Sequence, residues 1–392
     1  MVPLLLVPSA EASTPSDRPA TAVSMPSPPP LPSSSPSSSG EFALLAPGLL
    51  DAPAPADTAP EPAALPAPQP APAPPPASST KPHMIRWVYT LGNQVPDQVL
   101  QHPEDVDVIS PAWFHLNAAG DVYGSDVPSV TQWAHQHGIK VMPIVDNDQF
   151  DPDSAHAILS DGSTQTRALN GLQWMVNNFG YDGLNIDWEN MYNSDRDLFS
   201  GFMSNVYARI HREVGKTVTI ALGSKTKEDY LGFAGPFDYA KLAPSFDLAV
   251  IMTYDQHYAG GDPGPVASIQ WVTDVINYAT QSIPASKLLL GLPFYGYNWN
   301  VSLGGWAQAM GYGDIVKTVF ANGPGIQMDP ASQTPVYTYT NASGTHQIWF
   351  ENSTSLQAKI ALAAKHGLAG WGAWRAGLED QNFWTLNLSP SA

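Results

Sequence analysis

The sequence predicts an α/β protein, a (β/α)8 TIM barrel with a small β-rich insertion between strands 7 and 8. Two observations carry this. From about residue 83, short β-rich runs alternate with helix-like segments, which implies parallel βαβ units. Several helices end on a glycine that leads straight into a strand, the pattern of a left-handed C-terminal cap, as at His137-Gly138 and His366-Gly367. Eight strands in roughly 310 residues fit a closed barrel. The competing architecture, an open doubly wound sheet, usually carries a Gly-rich phosphate loop after its first strand, and Thr90-Leu91-Gly92-Asn93 is not one.

The expected strands, in order, are Met84–Tyr89, Val106–Phe114, Gly138–Val145, a run inside Tyr181–Asn190, Thr217–Leu222, Phe246–Tyr254, Leu288–Tyr295 and Gly367–Trp374. Residues 297 to about 350 are too long for a plain loop. Within them Val336–Thr340 and His346–Phe350 flank Asn341-Ala342-Ser343-Gly344, which reads as a β-hairpin on the barrel rim.

Residues 1–82 are of another kind, dominated by Pro, Ala and Ser, with Pro66–Pro74 the clearest run. Proline fixes φ and removes amide donors, so a semi-rigid, disordered spacer in extended polyproline II is expected. A short apolar start, Val2–Pro8, followed by Ala10-Glu11-Ala12, resembles the tail of a signal peptide. The catalytic barrel is expected over 83–392, on a secreted or wall-associated protein.

The chain has 35 acidic and 17 basic residues, a formal charge of -18, which argues against nucleic acid or an anionic membrane as the main partner. A neutral polymer such as a polysaccharide is indifferent to that charge. There is no Cys, which excludes disulfides, thiolate zinc sites and thiol catalysis. No stretch has the length of a transmembrane helix. A monomer is expected, with no cofactor and no metal. Asp146–Asp153 is acidic, but Phe150 sits where a calcium loop needs an oxygen ligand, and a solvated rim loop is expected instead.

In a barrel of this kind, functional groups sit at the C-terminal strand ends. Five ends supply them: Trp113 and His115, Asp146 and Asn147, Asp187 and Glu189, Tyr254 and Asp255, Trp374 and Arg375. In the fourth strand Leu184, Ile186 and Trp188 alternate with Asn185, Asp187 and Glu189, so the polar residues share one face. Buried carboxylates there make sense if that face looks into a site. Two neighbouring carboxylates resist simultaneous ionisation, which lets one hold a proton near neutrality and serve as a general acid for glycosidic cleavage.

Asp182-x-x-Asn185-x-Asp187-x-Glu189 resembles the acidic signature of glycoside hydrolase family 18, the chitinase-like barrels. Met252-Thr253-Tyr254-Asp255, Gly291-Leu292-Pro293-Phe294-Tyr295-Gly296 and Trp374 match the family too, over nearly all of 84–388. Tyr254-Asp255-Gln256-His257, Gly264–Ser268 and Trp374–Asp380 resemble the bacterial branch that includes spore-cortex-lytic N-acetylglucosaminidases. At Asn185 the chain departs from the wider family, where Asp is usual; Asn keeps the hydrogen bonds and drops a charge.

The resemblance implies a glycosidase cleaving β-1,4 N-acetylglucosaminyl bonds in peptidoglycan, preferred over chitin, by a substrate-assisted retaining mechanism. It implies Glu189 as acid and then base, Asp187 and Tyr254 as holders of the substrate's acetamide, and Asn185 and Asp182 as further members of the catalytic signature. Trp374 would floor the sugar, with Met252, Asp255, Tyr295, Trp113 and Asp146 as further substrate-binding candidates. The alternatives are a chitinase proper and a chitinase-like lectin that binds such glycans without cutting them.

Overall fold

The computed structural model describes residues 83–390; the expected spacer and signal-peptide tail lie outside them. Eight parallel strands form the centre: Ile85–Thr90, Val108–Leu116, a third split into Lys140–Val141 and Ile144–Asp146, Gly183–Asp187, Thr217–Gly223, Leu248–Met252, Leu288–Pro293 and Gly370–Trp374. Each pairs with its neighbour in chain order, and the first pairs with both the second and the eighth, which closes the barrel. All eight expected strands are present, with no end moved by more than three residues.

Closure divides the side chains into two layers, because alternate residues of a strand face opposite sides. The lumen is filled by Trp87, Tyr89, Val108, Met142, Ile144, Val250 and Leu289. A larger apolar layer lies between strands and helices, to which the fourth strand contributes Leu184, Ile186 and Trp188. Trp188 stacks on Phe202 at 4.9 Å. The helices Pro128–Gln136 and Ser353–Lys365 end as their sequence predicts: Gly138 (φ 74°) and Gly367 (φ 65°) turn left-handed just beyond them. Among the described residues, no helix is long and apolar enough to cross a membrane.

The insertion is larger than a hairpin. Thr334–Asn341 and Gly344–Phe350 do pair antiparallel, as expected. They belong to a five-stranded sheet that includes Tyr295–Asn300, Gln308–Gly311 and Gln327–Asp329, with the helix Tyr312–Asn322 attached. Tyr295, read from sequence as the end of the seventh barrel strand, opens the first strand of this sheet. Phe294 separates the two strands, so Tyr295 stands at the junction of barrel and insertion.

Candidate active site

The fourth strand ends at Asp187, paired in register with Asp146 on the third. Asn185 and Asp187 are buried on the lumen face, and Glu189 follows just beyond the strand. Glu189 is held by its backbone. Asn147, fully buried, accepts the Glu189 amide N–H at 2.9 Å and donates Nδ2–H to the Glu189 carbonyl at 2.9 Å. Burial raises the Glu189 carboxyl well above its usual range, and the charges of Asp187, Asp255 and Asp146 raise it further. Asp187 is raised by burial first and by Asp146 second. The two carboxyls titrate as a pair that keeps a proton toward neutrality.

Asn185 lies below Asp187. Its Oδ1 accepts a hydrogen bond from Thr219 Oγ1 at 2.9 Å. Tyr89, from the first strand, stands beside it, and burial and then the Asp187 charge push its phenol far up. Trp374 lies over Tyr89 with ring centroids 5.4 Å apart, and its peptide bond to Arg375 is cis.

Tyr254 follows the sixth strand, whose last residue is Met252. It approaches the seventh so closely that a Cβ on Gly291 would lie 2.9 Å from its ring and 2.3 Å from the Ile251 carbonyl oxygen. Asp255, at φ 58°, accepts hydrogen bonds from Tyr295 (2.6 Å) and Tyr297 (2.9 Å). Burial raises its pKa, and the two tyrosines partly offset that.

Asp187, Glu189, Met252, Tyr254, Asp255, Tyr295 and Trp374 together line a cavity of about 330 Å³ at the C-terminal face of the barrel. Three candidates stand elsewhere. Asp182 sits at the opposite end of its strand, where its carboxylate accepts the Val141 amide N–H at 2.8 Å and contacts His135 at 3.0 Å; five residues of strand put it about 16 Å from Asp187. Trp113 is a core residue, packed in the layer between strands and helices, with its indole N–H on the Gly92 carbonyl. Val108 and Ala112 of the same strand pack on the lumen side, so ordinary alternation turns Trp113 outward. Asp146 is a neighbour of the site but not part of its lining: its carboxylate is taken by His115 Nδ1 at 2.8 Å and the Gln149 amide at 2.9 Å.

The loop after Asp146, expected to be solvated, is tightly built. Asp148, Gln149 and Phe150 all have positive φ (56°, 60° and 67°), a strained left-handed turn for residues with side chains. Ser154 Oγ–H and the Tyr123 hydroxyl fix Asp148, Asn147 Nδ2–H bonds the Asp151 carbonyl at 3.0 Å, and Asp151 caps the helix Pro152–Ser160. The turn brings Phe150 to the cavity. The opposite wall is the loop after the fifth strand, with Leu231 and Phe233. Arg196 anchors it from below: Nη1 donates to the Gly235 carbonyl at 2.6 Å, and Nη2 pairs with Glu228 at 3.0 Å. Neither Phe150 nor Arg196 was legible as a site residue, because neither lies at a strand end or in a motif.

A closed barrel with a carboxylate pair and aromatic walls at its C-terminal face has the form of a glycosidase. Residues 86–379 match the family of glycosyl hydrolases family 18, and the chain belongs to that family. It is 30% identical over 267 residues to the cortical fragment-lytic enzyme of Bacillus subtilis, covering 67% of this chain and 62% of that protein. The chain thus spans about three fifths of the length of that relative. The crystal structure of the Bacillus cereus spore cortex-lytic enzyme SleL superposes with a TM-score of 0.71 at 24% identity, over 78% of this chain and 74% of that one. A chitinase from Chromobacterium violaceum gives 0.71 at 25% identity, over 77% and 97%.

Proposed function

We propose that this glycosidase hydrolyses β-1,4-linked N-acetylglucosaminyl bonds with retention, by substrate assistance, and that peptidoglycan is its preferred substrate. The observation that carries the reading is the raised Glu189 carboxyl, clamped by Asn147 and flanked by Asp187 and Tyr254 in one cavity. A carboxyl that keeps its proton near neutrality can act as an acid there.

In this reading Glu189 gives its proton to the leaving glycosidic oxygen as the C1–O bond breaks. The substrate's own acetamide carbonyl oxygen bonds to C1 and forms an oxazolinium ion. Asp187 accepts from the acetamide N–H and balances the positive charge, and Tyr254 donates its hydroxyl to the acetamide oxygen. Water then attacks C1, loses its proton to Glu189 and opens the ring. Trp374 floors the sugar, Met252, Asp255 and Tyr295 complete its walls, Asn185 is fixed beneath Asp187 by Thr219, and the Asp146 charge raises Asp187. The protein acts as a secreted or wall-associated monomer, since such polymers lie outside the cytoplasm.

Similarity to the cortical fragment-lytic enzyme favours peptidoglycan, and similarity to the Chromobacterium violaceum chitinase favours a second reading, chitin. Mass spectrometry of the products released from purified sacculi, and separately from chitin oligomers, tests both. Muropeptides ending in reducing N-acetylglucosamine, lost with Glu189→Gln, are the expected result. Products from chitin alone would make it a chitinase. Glycan binding without release from either would leave a lectin.

A further inference from the structure

The strand Tyr295–Asn300 touches two cavities. Its first residue, Tyr295, reaches the candidate active site, while Trp299, on the same strand face, lines a second and larger hollow on the rim. Four residues of strand separate them by roughly 13 Å. The loop after the sixth barrel strand runs the same course: Asp255 and Gln256 line the first cavity, Gly260 to Pro263 the second. Two hydrogen bonds lock its walls together, from the Ala307 amide N–H to the Ala259 carbonyl (2.8 Å) and from Trp299 Nε1–H to the Gly261 carbonyl (2.9 Å).

In this hollow stands Trp306, 67% exposed. Its position is not accidental to the loop. A Cβ on Gly260 would stand 3.0 Å from the indole Cη2, so the ring packs closely against the neighbouring loop at that glycine. Gly304 and Gly305, both with positive φ, bring the chain round to it and leave bare backbone beside the ring. Asp262 supplies a carboxylate in the same hollow, and no lysine or arginine lines it. An exposed indole face, open backbone and a hydrogen-bond acceptor are what a neutral sugar ring needs: its C–H face lies on the aromatic, and its hydroxyls find acceptors at the edge.

We propose that this hollow is a distal glycan-binding site, with Trp306 as its stacking platform, which holds the substrate chain some units away from the bond being cut. It rests on the N-acetylglucosaminyl reading above. The site adds affinity only for a chain long enough to span both cavities, because the second contact is then intramolecular.

The test is binding in the Glu189→Gln background, which does not consume its ligand. Calorimetric titration with chitin disaccharide and hexasaccharide compares Glu189→Gln with Glu189→Gln/Trp306→Ala. The expected result is a loss of about fivefold or more in hexasaccharide affinity with disaccharide affinity unchanged, and retention of most affinity in Trp306→Phe. Equal hexasaccharide affinity with and without Trp306 would overturn the platform, as would equal loss for both lengths. The substrate reading would survive either result. Failure of the Glu189→Gln protein to bind either oligomer would overturn the platform as a site for N-acetylglucosaminyl chains and the chitin reading, while the digestion of sacculi would still decide the peptidoglycan reading.

Discussion

Asn147 and the backbone of Glu189 form a closed pair, with N–H to Oδ1 and Nδ2–H to C=O each at 2.9 Å. The side chain of one strand end thereby substitutes for a sheet partner that Glu189 lacks, since the fourth strand has already ended at Asp187. The candidate acid is thus positioned through its main chain, which leaves its carboxyl free to face the cavity.

Asn147→Ala is expected to leave both backbone groups without that partner, at about 1–3 kcal/mol each where no water replaces it. A displaced Glu189 lowers kcat by roughly 10- to 100-fold, with KM changed much less. Steady-state kinetics on a soluble oligosaccharide, beside a denaturation curve, separates the two effects. A variant that loses stability but keeps kcat would remove Asn147 from the positioning of Glu189.

The raised carboxyls tie stability to pH. Asp187, Glu189 and Asp255 all have folded-state pKa values above their unfolded ones. Between those values the native state holds more protons than the unfolded chain, so stability falls as pH rises. Glu189→Gln removes one of these groups, so its Tm is expected to fall less than that of wild type between weakly acidic and weakly alkaline pH. Parallel Tm curves would show that Glu189 is not raised. The same cause sets the alkaline limb of the rate: Asp187→Asn removes the second largest contribution to the Glu189 shift, and its residual activity is expected to fade at lower pH.

The barrel was legible because its signals are local. Glycine caps and short apolar runs mark strand starts within a few residues, and the alternation in 184–189 placed Asn185 and Asp187 on the lumen face. Asp182 misleads because it belongs to the same acidic string, although strand rise carries it to the other end of the barrel, where it caps Val141. Trp113 misleads because a place near a strand end does not fix the face: counted from Val108 and Ala112, alternation turns it outward. Phe150 was hidden because three successive positive φ values in non-glycine residues run against local preference; contacts with Tyr123, Ser154 and Asn147, remote in sequence or turned back on the loop, hold them. Arg196 was hidden because its partners, the Gly235 carbonyl and the Glu228 carboxylate, lie far along the chain and in no motif.

A buried ion pair joins the insertion to the barrel. Lys359 Nζ lies 2.7 Å from Glu351 Oε2 with both side chains fully buried. Burial raises the Glu351 carboxyl, and Lys359 partly offsets the rise. Lys359→Met strands a carboxylate and is expected to destabilise by about 3–5 kcal/mol. The double variant Glu351→Leu/Lys359→Met is expected to recover most of that, because it leaves no buried charge. Urea denaturation of the three proteins reads the coupling directly. Additive losses would mean that the two charges do not depend on each other.

Gly291 lies in close contact with the sixth strand and the Tyr254 ring. A methyl group there would stand 2.3 Å from the Ile251 carbonyl oxygen, 2.9 Å from the Thr253 nitrogen and 2.9 Å from the Tyr254 ring. The first two are backbone of the adjacent barrel strand and its extension, which Thr253 Oγ–H already ties to the Gly291 carbonyl at 2.6 Å. They cannot both retreat without parting the sixth and seventh strands, so the strain falls on that seam and on the Tyr254 ring. Gly291→Ala is therefore expected to lower kcat at least about tenfold, since a shift of an ångström at a reacting group is enough, and to lower stability as well. Tyr254→Phe supplies the reference, because it removes only the hydroxyl. If Tyr254 acts through that hydroxyl, Gly291→Ala added to Tyr254→Phe is expected to cost little further kcat. A full, independent loss in the double variant would mean that Gly291 serves the strand seam alone.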